Sequence, residues 1–170
     1  RYRQSVLGGL WAIVQPLATM VVFNVVFANF LQVSTEGIPY PIFSYSALLF
    51  WTLFNTSINF GINSLVNNMS LISKVYFPRE ILPLAAMGAS FVDFSIASTV
   101  FVGLMIYYRI PITSAVLWVL PLLFLQTVLT AGAVLLGAAL NVFYRDLRFV
   151  VPLGLQLWLY ATPVIYPVTV

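Results

Sequence analysis

The charges of this chain fall in the gaps between long apolar runs, and that placement limits its fold more than any other feature. A helix that crosses a bilayer needs about 20 largely apolar residues. Five stretches qualify: about Trp11 to Leu31, Ile42 to Val66, Leu82 to Tyr108, Ser114 to Val142, and Phe149 to the end, with Asp93 the one acid inside any of them. Only 6% of residues are charged and 62% are hydrophobic, whereas soluble domains carry about 25% charged residues. Such a chain cannot cover a water-facing surface, but helices in lipid satisfy their own backbone groups. A membrane β-barrel would need segments of about ten residues with alternating polarity, and these runs do not alternate. The expected fold is all-α, a polytopic transmembrane bundle forming one membrane domain.

The connectors fix the orientation. Arg1 and Arg3 precede the first span, Lys74 and Arg79 lie between the second and third, and Arg145 and Arg148 lie between the fourth and fifth. Basic residues collect on the cytoplasmic side, so these three regions are expected there. Arg109 alone falls opposite. The connector Gln32 to Pro41 holds turn residues and Glu36, and reads as a short outer loop. Tyr107, Tyr108, Trp118 and Tyr144 sit where interfacial aromatics belong. The net charge of +3 reports topology, because its basic residues are scattered, and no nucleic-acid surface is expected. The chain opens at Arg1 without a signal pattern, so a natural start upstream is expected.

Polar residues inside the spans are candidates for function. Asp93 shares a helical stripe with Ala85, Ala89 and Ala97. It could serve an ion relay, or it could be a helix-packing acid on a small-residue face; the lack of a second intramembrane ionisable group favours packing. Asn55, Asn59, Asn63 and Asn67 recur every four residues, either as glue between helices or as the lining of a path for a hydroxyl-rich substrate. Gln156, Trp158 and Tyr160 could stack on and hydrogen-bond to sugar, or simply face lipid. Pro152, Pro163 and Pro167 should break or kink the last span, with a re-entrant turn near Thr162 to Pro167.

The cytoplasmic connector Asn67 to Pro83 places Ser70 as a helix N-cap, followed by Leu71, Ile72, Val75 and Tyr76 at helical spacing and then Phe77, Pro78, Arg79 and Glu80. A short amphipathic helix ending at proline is expected, either docking a partner or forming an ordinary interfacial turn. Catalytic chemistry is missing. The chain has no histidine and no cysteine, which removes the commonest general base and the thiolate metal sites. Its sole lysine, Lys74, precedes Val75, so there is no phosphate-binding loop. An enzyme is not expected, and energy for uphill transport must come from another subunit or from an ion gradient.

Four segments resemble the membrane subunits of ABC-2 type polysaccharide exporters. They are Arg1 to Gly8 with Trp11 and Gln15-Pro16-Leu17; Leu71 to Pro83, including Tyr76-Phe77-Pro78-Arg79-Glu80; Asn141 to Leu147, including Tyr144-Arg145-Asp146; and Ala161 to Pro167. The resemblance implies six spans, of which five are present, with most of a leading interfacial helix and the last span lying outside the chain. It also implies a homodimer in the bacterial inner membrane, in contact with membrane lipids, bound to a separate nucleotide-binding ATPase subunit that holds ATP and Mg. The cargo would be a lipid-linked glycan on undecaprenyl. Under this resemblance Ser70, Leu71, Lys74, Val75, Tyr76, Phe77, Pro78, Arg79 and Glu80 form the coupling element. Leu7, Gly8 and Trp11 lie at the cytoplasmic mouth, with Asn55, Asn59, Asn63, Gln156, Trp158 and Tyr160 along the path. Arg145 and Asp146 steady the cytoplasmic end of spans four and five. An ABC-2 exporter of drugs or lipids is the alternative, and a carrier outside the ABC class a more distant one.

Overall fold

The computed structural model describes residues 11–26, 39–111 and 113–162. Among these residues all regular structure is helical and there is no strand. The elements are α1 (Trp11–Phe23), α2 (Tyr40–Asn67), α3 (Met69–Ile72), α4 (Ile81–Tyr107), a 3-10 turn (Ser114–Trp118), α5 (Val119–Phe143) and α6 (Leu147–Ala161). Pro41, Pro83 and Pro121 each fall in the first turn of a helix, where a missing N–H leaves no bond unmade. Pro152, where a break or kink is expected, lies inside α6, and the helix continues unbroken through it to Ala161. Neighbouring groups in a membrane helix can satisfy the backbone groups that a proline frees. Pro163, Pro167 and nearly all of the expected re-entrant turn lie outside the described residues, as do Arg1, Arg3 and most of the outer loop.

The end of α4 has a definite backbone cause. Arg109 takes φ 53°, its N–H donates to Ile106 O at 3.1 Å, and Ile110 N–H donates to Met105 O at 3.0 Å. These two bonds form a Schellman closure, with arginine in the left-handed position that glycine usually fills.

Among the described residues two helices are both long and apolar enough to cross a membrane, over Ile81–Tyr107 and Val116–Phe143. In each, only 11% of the most apolar window is buried inside the protein, the reverse of a soluble core helix. Leu122, Phe124, Leu125 and Leu129 of α5 point outward, as a lipid-facing surface requires. At 28 residues α2 is long enough to span, but its asparagines, serines and threonines dilute its apolarity. The described parts of the first and fifth expected spans are shorter, over Ile13–Val26 and Leu147–Ala161.

The chain divides into two compact units, and α2, α4 and α6 contribute to both. In the unit built from the start of α2 and the end of α4, the core is Tyr45, Leu49 and Ala97, with Phe94, Phe101 and Leu17 packed on it. Tyr45 stacks on Phe101 with ring centroids 5.9 Å apart, and its hydroxyl donates to Ala97 O at 3.0 Å. Of the expected small-residue face on α4, only Ala97 is packed; Ala85 and Ala89 are exposed. Helix spacing sets which residues share a stripe, but only tertiary contact decides how much of it is covered.

In the unit built from Leu53–Val92 and Ile112–Leu157, α2 and α5 meet through small residues. A Cβ on Gly61 would stand 2.4 Å from Val134 Cγ1, and one on Gly137 would stand 2.7 Å from Ile62 Cδ1. Val134 and Ala138 are wholly buried in this contact. At both positions an added side chain would displace a side chain of the facing helix, least easily the β-branched Val134 against Gly61.

Candidate functional site

The connector between α2 and α4 is the most exposed polar stretch of the described chain. Only Met69–Ile72 is helical, with Asn68 at the N-cap position and no side-chain capping bond. Ser70 is therefore not the cap. It lies within the turn, where its carbonyl accepts from Ser73 Oγ at 3.1 Å. The helix stops because Ser73 and Lys74 turn, and residues 76–78 run without regular structure into Pro78. Val75 and Tyr76 thus sit beyond the helix, and the expected amphipathic helix is reduced to four residues. What remains is a knob. Leu71, Val75 and Tyr76 are exposed, Tyr76 completely so, while Ile72 and Phe77 are half-buried and anchor the segment from beneath. Lys74, Arg79, Glu80 and Pro78 are also exposed.

Arg79 and Glu80 lie beside the end of α5, since both line a cavity of about 430 Å³ shared with Leu65, Ile72, Pro83, Leu135 and Phe143. Large exposed apolar and aromatic side chains next to charged ones suit a protein partner better than water alone.

The asparagine stripe of α2 bonds mainly to itself. Asn59 Nδ2 donates to Asn55 O at 2.9 Å and to Asn55 Oδ1 at 2.8 Å, and Asn63 Nδ2 donates to Asn59 O at 2.8 Å. All three side chains are half-buried. Only Asn63 reaches another helix, where its Oδ1 accepts from Asn141 Nδ2 at 3.3 Å. Asn141 also donates to Ile62 O at 3.1 Å and is 1% exposed. Asn141 is thus the amide that joins α5 to α2, a role not evident from its place in the Asn141 to Leu147 segment. Its offsets of three and seven residues from Ala138 and Val134, which put all three on one face of α5, were the available signal. Asn141 Oδ1 and Ser57 Oγ are buried without a hydrogen-bond partner, polar groups that mark this contact as something other than a purely apolar seam.

The other expected residues are dispersed. Asp93 is half-buried in α4. Arg145 and Asp146 form the exposed turn from α5 to α6, where Asp146 O accepts from Phe149 N at 2.9 Å and from Val150 N at 3.1 Å and so opens α6. Gln156, Trp158 and Tyr160 are exposed along α6, and Trp11 is exposed on α1. Leu7 and Gly8 lie outside the described residues. Among the described residues no cluster of acids could hold a metal ion.

Comparison with known proteins agrees with a membrane protein. Curated relatives include an "O-antigen export system permease protein RfbA" of Myxococcus xanthus, 34% identical over 171 residues, covering 99% of this chain and 64% of that protein. A protein of the same name from Klebsiella pneumoniae is 30% identical over 167 residues, covering 98% of this chain and 64% of its own length. The chain therefore spans somewhat under two thirds of these relatives. The family described as ABC-2 type transporter matches residues 1–170, and the chain belongs to that family.

Proposed function

We propose that this protein is the membrane subunit of an ATP-driven exporter that moves undecaprenyl-linked polysaccharide out of the cytoplasm. It works as a homodimer with a separate nucleotide-binding subunit, which holds ATP and Mg and supplies the energy. The observation that carries this reading is the knob of Leu71, Val75 and Tyr76, exposed on a connector that the charge pattern assigns to the cytoplasm. Family membership and relatives named as O-antigen export permeases support it. The half-buried asparagines of α2 and the exposed Gln156, Trp158 and Tyr160 of α6 supply amides and rings for sugar hydroxyls and faces. Asp93 acts in packing, and Arg145 and Asp146 act in turning the chain.

The test is ATP hydrolysis by the full-length protein co-reconstituted with the ATPase encoded beside it, with and without lipid-linked glycan. Stimulation by the glycan and not by bare lipid is the expected result. Stimulation by hydrophobic drugs alone would transfer the protein to drug export, and failure to bind any ATPase would remove the coupling assignment. Within this assay Tyr76→Ala should weaken ATPase binding by about 30-fold, the loss typical of a central aromatic anchor, while membrane insertion is unchanged.

A further inference from the structure

The connector borders two adjoining hollows. The larger, of about 430 Å³, has walls from the ends of α2, α4 and α5, chiefly Leu65, Pro83, Leu135 and Phe143, and its size falls within the range of ligand sites. The smaller, of about 250 Å³, is a cup made by the connector, with Ser73, Lys74 and Arg79 in its lining beside the knob residues Val75 and Tyr76, and no acid. Arg79 and Ile72 line both. An apolar compartment and a cationic one therefore share a wall.

Depth decides what the apolar compartment can receive. Leu135 precedes Phe143 by eight residues of continuous helix, about 12 Å along the axis. A hollow reaching that far from the α5 terminus enters hydrocarbon, where an acyl chain is the natural occupant and a side chain from a soluble partner is not. The cup stands at the terminus, where basic pockets between membrane helices on the cytoplasmic side hold anionic head groups. Glu80 lines only the larger hollow, so the lining of the cup carries two bases and no acid.

We propose that this pair of hollows binds one anionic phospholipid of the inner leaflet, with an acyl chain against Leu65 and Leu135 and the phosphate at Lys74 and Arg79. The lipid would thereby set the height and tilt of the connector. The assignment rests on the cytoplasmic placement of the connector and on neither the ATPase nor the glycan.

The experiment is native mass spectrometry of the full-length protein released from phosphatidylcholine nanodiscs containing a minor fraction of phosphatidylglycerol. Selective retention of phosphatidylglycerol is expected. Lys74→Gln with Arg79→Gln should lower its apparent affinity about 25-fold, at about fivefold for each base. Ala139→Phe, which fills the larger hollow from an exposed position, should lower retention without removing either charge. Equal retention of both lipids, or retention unchanged in both variants, would overturn the proposal. Displacement by inorganic phosphate would reduce the cup to a phosphate site, and displacement by added ATPase subunit would hand it to the protein partner; either result also defeats the proposal. Because retention is read without ATP or glycan, its failure leaves the transport reading to stand or fall on its own assay.

Discussion

The two halves of α2 join their neighbours by opposite means. Around Tyr45 the contact is made by rings, with Tyr45 stacked on Phe101 and Phe50 tilted against Phe94 at 5.6 Å. Around Gly61 it is made by the lack of side chains, with Gly61 receiving Val134, Gly137 receiving Ile62, and Asn141 hydrogen-bonding across. In lipid the hydrophobic effect does not draw helices together, so dispersion and interhelical polar bonds must do so. Rings provide contact area at a distance, and each can shift a little without losing it. A glycine seam brings backbone close to side chain and leaves no slack. The rigid seam belongs to the unit that carries the connector, which suits a part that must transmit displacement rather than absorb it.

The sharpest way to break this contrast is Gly61→Leu. Even a single added carbon meets Val134 at 2.4 Å and 2.9 Å, and Val134 is β-branched and wholly buried, so it cannot turn aside. Overpacking of this kind costs about 1 to 3 kcal/mol per site, and leucine should exceed that and prevent recovery of a monodisperse protein from detergent. Gly61→Ala should lower thermal stability by the smaller amount, and Val134→Ala should restore it. If the double variant is no better than Gly61→Ala alone, the seam is not where the strain falls.

Asn141→Leu sharpens the comparison with a smaller effect. It removes donations to Ile62 O and Asn63 Oδ1, and interhelical bonds in membranes are worth roughly 0.6 kcal/mol each, with a maximum near 1.7. A loss of about 1 kcal/mol is expected by unfolding in mixed micelles. Paired with Asn63→Ala in a double-mutant cycle, it should show coupling well above zero; strict additivity would remove Asn141 as the link between the helices.

How far the sequence shows all this depends on what each feature is made of. Helix limits were legible, because charges and prolines act locally: the stretches Ile42 to Val66 and Leu82 to Tyr108 appear as the helices Tyr40–Asn67 and Ile81–Tyr107. The four-residue period of the asparagines was equally plain. Its use was not, since Asn55 and Asn59 bond within their own helix and only Asn63 looks across, a choice made by the facing surface. Gly61 and Gly137 carry no period of their own, and their need for bare backbone exists only once Val134 and Ile62 arrive. The connector was legible as a segment but not in its fold. Leu71, Ile72, Val75 and Tyr76 have helical spacing, yet Ser73 and Lys74 turn before Val75 is reached, because four residues bury too little to extend a helix.

The smallest effect should come from the ring side of the contrast. Tyr45→Phe removes one bond, the donation to Ala97 O, and leaves the stack on Phe101 intact. Ala97 O is a helix carbonyl with its own backbone donor, so nothing is left unsatisfied when the hydroxyl goes. The cost should therefore stay near 0.6 kcal/mol, the average for an interhelical bond in a membrane. Tyr45→Ala, which deletes the ring itself, should cost several times more, in the range of about 3 to 5 kcal/mol for removal of a buried aromatic. Measured in the same micelles, a ratio near one between the two variants would mean that the hydroxyl and not the ring holds this region, and the distinction between the two halves of α2 would collapse into one polar mode of packing.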